Sequence, residues 1–210
     1  MKGSQVKLCG IILAAGASKR LGRPKQLLPL GESTLLQRVL KACLDSQLSR
    51  VILVLGHAYE EIFQSISLIN DPRLILVRNL EYHLGLSSSL KLGIDNLMEE
   101  DAFMVILGDM PFVTSRVIDL LLARFLEAGK PCCTYWAQNR PLHPVIFHTS
   151  LRDRFKGLEG DVGGRQIIEE LMGEGLVEKV TPAFQLPIHL DMDTPEDYQE
   201  ILRIIGKQNS

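Results

Sequence analysis

No C-x-x-C pair, no excess of basic residues and no apolar run of membrane-spanning length occur in these 210 residues, and each absence closes off a class of function. The four cysteines, Cys9, Cys43, Cys132 and Cys133, include an adjacent pair, a spacing that fits neither a disulfide framework nor a zinc site. They are expected to be the reduced thiols of a cytoplasmic protein. A net charge of -2, from 23 Lys+Arg against 25 Asp+Glu, gives no global attraction to nucleic acid or to an anionic membrane. Any polyanionic ligand must therefore be gripped locally. The early apolar run, Leu8 to Ala15, is interrupted by Gly10 and followed by charge, so it is expected to be a buried strand rather than a signal peptide or a membrane span. Repeats and low-complexity tracts are lacking too, and only the tail from Gly206 to Ser210 reads as frayed.

What is present has a rhythm. Lys7 to Leu13, Val51 to Leu55, Leu74 to Val77 and Phe103 to Leu107 are apolar almost throughout, as strands of a parallel sheet covered on both faces must be. Between and after them lie amphipathic stretches: STLLQRVLKACLDS with Ser33 or Thr34 as cap, AYEEIFQSISLI, LSSSLKLGIDNLMEE, and TSRVIDLLLARFLEAG ending in Gly129. This alternation predicts one α/β domain over residues 1–210, a three-layer doubly wound fold with a mostly parallel sheet. After Lys130 the segments PCCTYW, PLHPVIFHTS, VEKVTPAF and IHLDMD are short and separated by prolines, so that half is expected to hold mixed or edge strands. Ligands of such sheets bind beyond the carboxyl ends of the strands.

The first such place is occupied by LAAGASKRLGRPKQLLPLG, Leu13 to Gly31. Gly16 and Gly22 let the backbone turn sharply and approach a ligand, while Ser18, Lys19, Arg20, Arg23 and Lys25 add donors, the combination a triphosphate requires. Five residues separate the two glycines and Arg-Pro follows, which excludes a Walker A loop, and a G-x-G-x-x-G is absent. Pro24 restricts Arg23 and so narrows the positions open to Lys25. In VILGDMPFV, Asp109 follows Gly108 at the end of the fourth apolar run, where a carboxylate needs a partner; beside a triphosphate that partner is Mg2+. In HLDMDTPEDY, Asp191 and Asp193 would share a face if the segment is a strand, and Asp193 reads equally as the cap of a helix opened by Thr194 and Pro195. Asp109 and Asp193 together would cradle the metal.

These motifs, with GDMPFV, HPVIF and DMDTPEDY in order, resemble the molybdenum cofactor nucleotidyltransferases of the MobA-like NTP transferase family, and within it the cytidylyltransferase branch of MocA-like proteins. The resemblance runs from Ile11 to Tyr198 and implies a GT-A-like, Rossmann-like nucleotidyltransferase fold. Residues 1–113 would form its NTP-binding half and residues 114–210 its acceptor-binding half. It implies that Leu13, Ala14, Ala15, Gly16, Ser18 and Gly108 line the nucleotide, that Arg20 and Lys25 bind its phosphates, and that Asp109 and Asp193 hold Mg2+, or Mn2+ in its place. Gly85, Ser87 and Ser88 in NLEYHLGLSSSLKLG would meet base and ribose; Ser87 or Ser88 also reads as a helix cap. His143 in RPLHPVIF would face the acceptor, or be a structural histidine placed by Pro144. EGDVGGRQII, with Asp161, Gly163, Gly164 and Arg165, is similar to the family's acceptor loop. The alanine in Leu13-Ala14-Ala15-Gly16, where the guanylyl-transferring branch has a second glycine, leans toward CTP. The implied acceptor is molybdopterin or molybdenum cofactor, with a molybdenum hydroxylase as a further partner. A sugar-phosphate nucleotidyltransferase and a nucleotide-binding delivery chaperone stay open as alternatives.

Overall fold

The computed structural model describes residues 6–182 and 187–208. Its centre is β1 (Leu8–Ala14), buried at every position and flanked in parallel by β4 (Arg50–Leu55) and β6 (Ala102–Leu107). With β5 (Leu74–Arg78) these are the four apolar runs, and their all-apolar character follows from cover on both faces. The strand β8 (Arg140–His148) runs antiparallel to both neighbours, β6 and β7 (Cys132–Ala137), while β9 (Val177–Val180) is parallel to β7. Among the described residues the sheet has seven strands in the order β5-β4-β1-β6-β8-β7-β9.

The second half does add mixed strands and, in β9, an edge strand, and Pro144 marks a fault within the sheet. Pairing of β8 with β6 ends at Val145, and the register with β7 shifts between Thr134 and Tyr135, so His143 and Pro144 bulge without partners on β7. IHLDMD is not a strand. Its alternation comes from Ile188 and Met192 being buried beneath neighbouring elements, and Met192 N–H donates to the Asp109 carbonyl at 3.0 Å.

One face of the sheet is covered by α1 (Leu35–Leu44), α2 (Tyr59–Ile66) and α4 (Ser115–Ala128), the other by α3 (Leu86–Asp95) and α5 (Arg165–Gly173). This is the three-layer doubly wound arrangement. Thr34, not Ser33, caps α1, in a reciprocal capping box with Gln37, and Thr114 and a left-handed Gly129 bound α4. The helix α3 stops at Asp95, short of the amphipathic pattern, which continues into a loop. A two-stranded ribbon of β2 (Pro29–Leu30) and β3 (Ser33–Thr34) packs with α6 (Pro195–Gln208) around Leu28, Leu30, Phe112, Met192 and Ile201. Gly206 is therefore helical rather than frayed, while Ala183, Phe184, Asn209 and Ser210 lie outside the described residues. Among the described residues no helix is long and apolar enough to cross a membrane.

The connection from β1 leads to β4 on one side, and β6 lies on the other, so the strand order reverses between β1 and β6. Their carboxyl ends open the crevice where a doubly wound sheet binds its ligand.

Candidate active site

The loop after β1 turns back on itself by means that its glycines only partly explain. Gly22 is left-handed (φ 67°), but its counterpart is Ser18 (φ 51°), not Gly16. Leu21 N–H donates to the Ser18 carbonyl at 3.0 Å, and the Ser18 hydroxyl accepts from Lys25 N–H at 3.1 Å. Ser18 thus braces the loop. Pro24, with φ near -58°, then leads into a single 3-10 turn, Lys25–Leu27, which returns the Lys25 side chain across the crevice.

There the charges meet. Lys25 Nζ lies 2.5 Å from Asp109 Oδ2 and 2.8 Å from Asp193 Oδ1, with the Lys25 and Asp109 side chains only 15% and 16% exposed. Arg20 Nη2 reaches the other Asp193 oxygen at 2.5 Å. Burial alone would lower the Lys25 pKa, but the two carboxylates outweigh it and hold the ammonium above its ordinary value. For Asp193 burial likewise opposes ionisation, and Lys25 with Arg20 overcomes it, keeping this carboxyl below its usual range. For Asp191 the balance is opposite: partial burial with the Asp109 and Asp193 charges outweighs the pull of its own backbone N–H and of Lys25, and its pKa is raised.

The backbone fixes these positions. Gly108 N–H donates to the Leu13 carbonyl at 2.9 Å, and a Cβ on Gly108 would lie 2.8 Å from that of Ala14, so glycine is what lets Asp109 leave β6 this close to β1. Asp193 is not the cap of α6. That work falls to Thr194 and Asp197: the Asp197 carboxylate accepts from Thr194 N–H at 2.7 Å, and the Thr194 hydroxyl accepts from Asp197 N–H at 3.2 Å. Asp193 is thereby free to face Lys25.

A cleft of about 520 Å³ extends from this cluster. It is lined by most of the expected residues: Leu13, Ala14, Ala15, Gly16, Ser18, Arg20, Lys25, Gly85, Gly108, Asp109 and Asp193, with Asp161 at the far wall. Ser87 and Ser88 are not among them. Ser87 is buried with its N–H on the Gly160 carbonyl at 3.1 Å, and the Ser88 hydroxyl accepts from Asn79 Nδ2 and bonds the Gly85 carbonyl. Neither is a side-chain cap; Gly85 begins α3 with φ 100°, its backbone packed against Gly160 and Asp161. Ser89, one residue further on, lines the cleft instead, next to Tyr82, His83 and Leu86. His143 also stands outside the lining: Nδ1 bonds the Val105 carbonyl at 3.3 Å, and burial lowers its pKa against the opposing pull of that bond and of Asp109. Gly163 and Gly164 precede α5, and Arg165 pairs with Glu169 rather than reaching the cleft.

Two residues the sequence reading passed over matter here. Gln26, only 2% exposed, donates through Nε2 to the carbonyls of Ala14 (2.8 Å) and Gly16 (3.2 Å). Asn79 ties Ser88, Ser89 and the Glu81 N–H together under the Tyr82 turn.

Among the described residues no three His, Cys, Asp or Glu side chains gather to hold a metal on their own. Asp109 Oδ1, however, is buried and has no hydrogen-bond partner among them. An ionised oxygen so placed suits a cation, and Asp109 with Asp193 offers the hard oxygen ligands that Mg2+ takes when phosphates and water complete its shell. The four cysteines are free and buried, and burial pushes the thiols of Cys9 and Cys133 up to about 12, which leaves them outside this chemistry.

Comparison with known proteins agrees with this geometry. The chain is 29% identical over 188 residues to the molybdenum cofactor cytidylyltransferase of Escherichia coli (strain K12), covering 90% of this chain and 92% of that one. It is 28% identical to the purine catabolism protein PucB of Bacillus subtilis (strain 168), covering 95% and 98% of the two chains. The crystal structure of the Mycobacterium tuberculosis rv0371c homolog from Mycobacterium sp. strain JC1 superposes with a TM-score of 0.79 at 30% identity, covering 96% of this chain and 98% of that one. Residues 10–175, from within β1 to just past the end of α5 and so including the loop, Lys25 and Asp109, match the MobA-like NTP transferase domain, and the chain belongs to that family of nucleotidyltransferases.

Proposed function

We propose that the chain transfers CMP from CTP to the terminal phosphate of a molybdopterin-type acceptor, releasing pyrophosphate. The observation that carries this reading is the Lys25 ammonium held between Asp109 and Asp193 at the reversal point of the sheet, beside a loop able to bind phosphates. The choice of CTP and of acceptor is supported by the name of the Escherichia coli relative and by the alanine at Ala15.

In this reaction an acceptor phosphate oxygen bonds to the α-phosphorus as the bond to the β-phosphate oxygen breaks. The acceptor is already ionised at neutral pH, so no general base is needed, and the protein's task is to suppress repulsion between two anions and align them. Arg20 and Lys25 would meet the triphosphate, Lys25 at the α-phosphoryl oxygens, where charge grows. Mg2+ held by Asp109 and Asp193 would supply further neutralisation of the α and β oxygens. Ser89, Tyr82 and Gly85 would wall the base and ribose, and Asp161 with the following glycines would face the acceptor. Residues 1–113 thus serve the nucleotide and residues 114–210 the acceptor, except that Asp193 returns from the second half to complete the first. Product would pass to a molybdenum hydroxylase partner.

The same machinery suits transfer to a different acceptor phosphate, a reading favoured by the end-to-end match to the purine catabolism protein. A delivery chaperone without turnover would not require the Lys25–Asp109–Asp193 cluster. Turnover assays decide: Lys25→Ala should lower kcat by about 10²–10³, the effect of losing one preorganised electrostatic donor. Asp109→Asn should abolish Mg2+-dependent turnover in a protein that still folds. Near-wild-type turnover in either variant overturns the corresponding role.

A further inference from the structure

Gln26 is a polar side chain driven almost fully into the wall of the cleft, and its two ends are treated unequally. Nε2 donates to the carbonyls of Ala14 and Gly16, and the backbone N–H of His57 donates to the carbonyl between them, Ala15, at 3.1 Å. Three successive carbonyls are therefore held by protein donors. Because a trans peptide points C=O of one residue opposite to N–H of the next, the N–H groups of Ala15 and Ala17 face away from the Gln26 amide. Ala14, Ala15, Gly16 and Ala17 all line the cleft. The other end, Oε1, is buried and has no hydrogen-bond partner among the described residues. Turning the amide over cannot relieve it, since Oε1 would then oppose two carbonyl oxygens.

We propose that Gln26 is a positioning residue for phosphate binding: by fixing the peptide planes of Ala14 and Gly16 it sets the Ala15 and Ala17 N–H groups toward the triphosphate. This rests on the reading of the cleft as an NTP site. It explains why an amide, rather than one more leucine, stands directly before the apolar run Leu27 to Leu30, where a buried polar group costs stability unless its bonds do something useful.

The test uses the full chain with Mg2+ and two probes, inorganic tripolyphosphate and each of the four NTPs, titrated calorimetrically. Gln26→Met keeps length and removes both ends; Gln26→Glu keeps shape but places an oxygen against the Ala14 and Gly16 carbonyls. Thermal melts and near-UV circular dichroism establish folding for each. The expected result is a loss of about tenfold in affinity for tripolyphosphate and for the preferred NTP in Gln26→Met, a larger loss in Gln26→Glu, and an unchanged order of preference among the four bases. A purely structural glutamine would lower the melting temperature and leave the tripolyphosphate affinity of the folded variant intact, which overturns the proposal. Altered base preference with tripolyphosphate binding unchanged overturns it as well, by moving Gln26 to the base. Should the wild-type chain bind none of the probes, it is the NTP reading itself that fails.

Discussion

Replacing Lys25 by methionine should make the chain bind a divalent cation better in the absence of nucleotide, although it disables catalysis. The ammonium lies 2.5 Å and 2.8 Å from oxygens of Asp109 and Asp193, the two carboxylates assigned to the metal, so cation and lysine compete for one negative pocket. Two unit charges about 4 Å apart interact by roughly 4 kcal/mol at an effective dielectric near 20, and a divalent ion doubles the repulsion. Movement of the flexible side chain and solvent screening remove most of that. If even about 1.4 kcal/mol survives, the dissociation constant falls tenfold. Methionine keeps the bulk and removes the charge. Titration of Mn2+ followed by electron paramagnetic resonance, without nucleotide, should show binding at least about tenfold tighter in Lys25→Met than in wild type. With NTP present the order reverses, because Lys25 is then needed on the phosphates. Unchanged or weaker Mn2+ binding in the variant would refute the shared pocket, and with it the idea that the nucleotide's phosphates draw Lys25 away as the metal enters.

Three further expectations follow from the packing. Gly85→Ala forces a Cβ into a residue at φ 100° and against the backbone of Gly160 and Asp161, so it should cost about 1–3 kcal/mol in urea unfolding and weaken NTP binding by parting the two loops at the cleft. Glu100, nearly buried and 2.9 Å from Arg50, is pulled by burial toward a higher pKa but held below its ordinary value by Arg50 and backbone N–H groups. A depressed folded-state pKa gives stability that is present above the unfolded value and lost as pH falls through the folded one; Glu100→Gln should therefore be less stable by about 1–3 kcal/mol at pH 7, the gap closing in melts taken toward pH 3. Thr34→Ala removes half of the capping box on α1 and should cost about 1 kcal/mol in the same assay, with turnover unchanged.

The parallel core could be read from the chain because β1, β4 and β6 sit between two helical layers and cannot afford polar positions. The opening loop could be read for its cations, since Lys25 and Arg20 lie where a buried strand ends, and Asp109 for the same reason. The rest depended on contacts that local pattern does not carry. IHLDMD mimics a strand because Ile188 packs into the main core and Met192 into the satellite cluster beside α6, while His189 and Asp191 between them are exposed. Three serines in a row give no sign of which one meets the cleft; the choice of Ser89 is set by left-handed Gly85 and the Tyr82–Leu84 turn, which fix the phase of α3. Ser18 takes the left-handed conformation expected of Gly16 because its hydroxyl and carbonyl both close the loop. Gln26 was invisible because its partners are backbone atoms, and the signal that could have found it is an amide set directly before the apolar run Leu27 to Leu30. His143 drew notice beside Pro144, yet it lies at the sheet fault with its ring on a backbone carbonyl.

The most direct measurement is pyrophosphate release from each of the four NTPs with Mg2+, with and without molybdopterin carrying molybdenum. Release from CTP that depends on the acceptor is the result expected of a cytidylyltransferase. Release from none of the four NTPs, in a folded protein supplied with that acceptor and Mg2+, would contradict it.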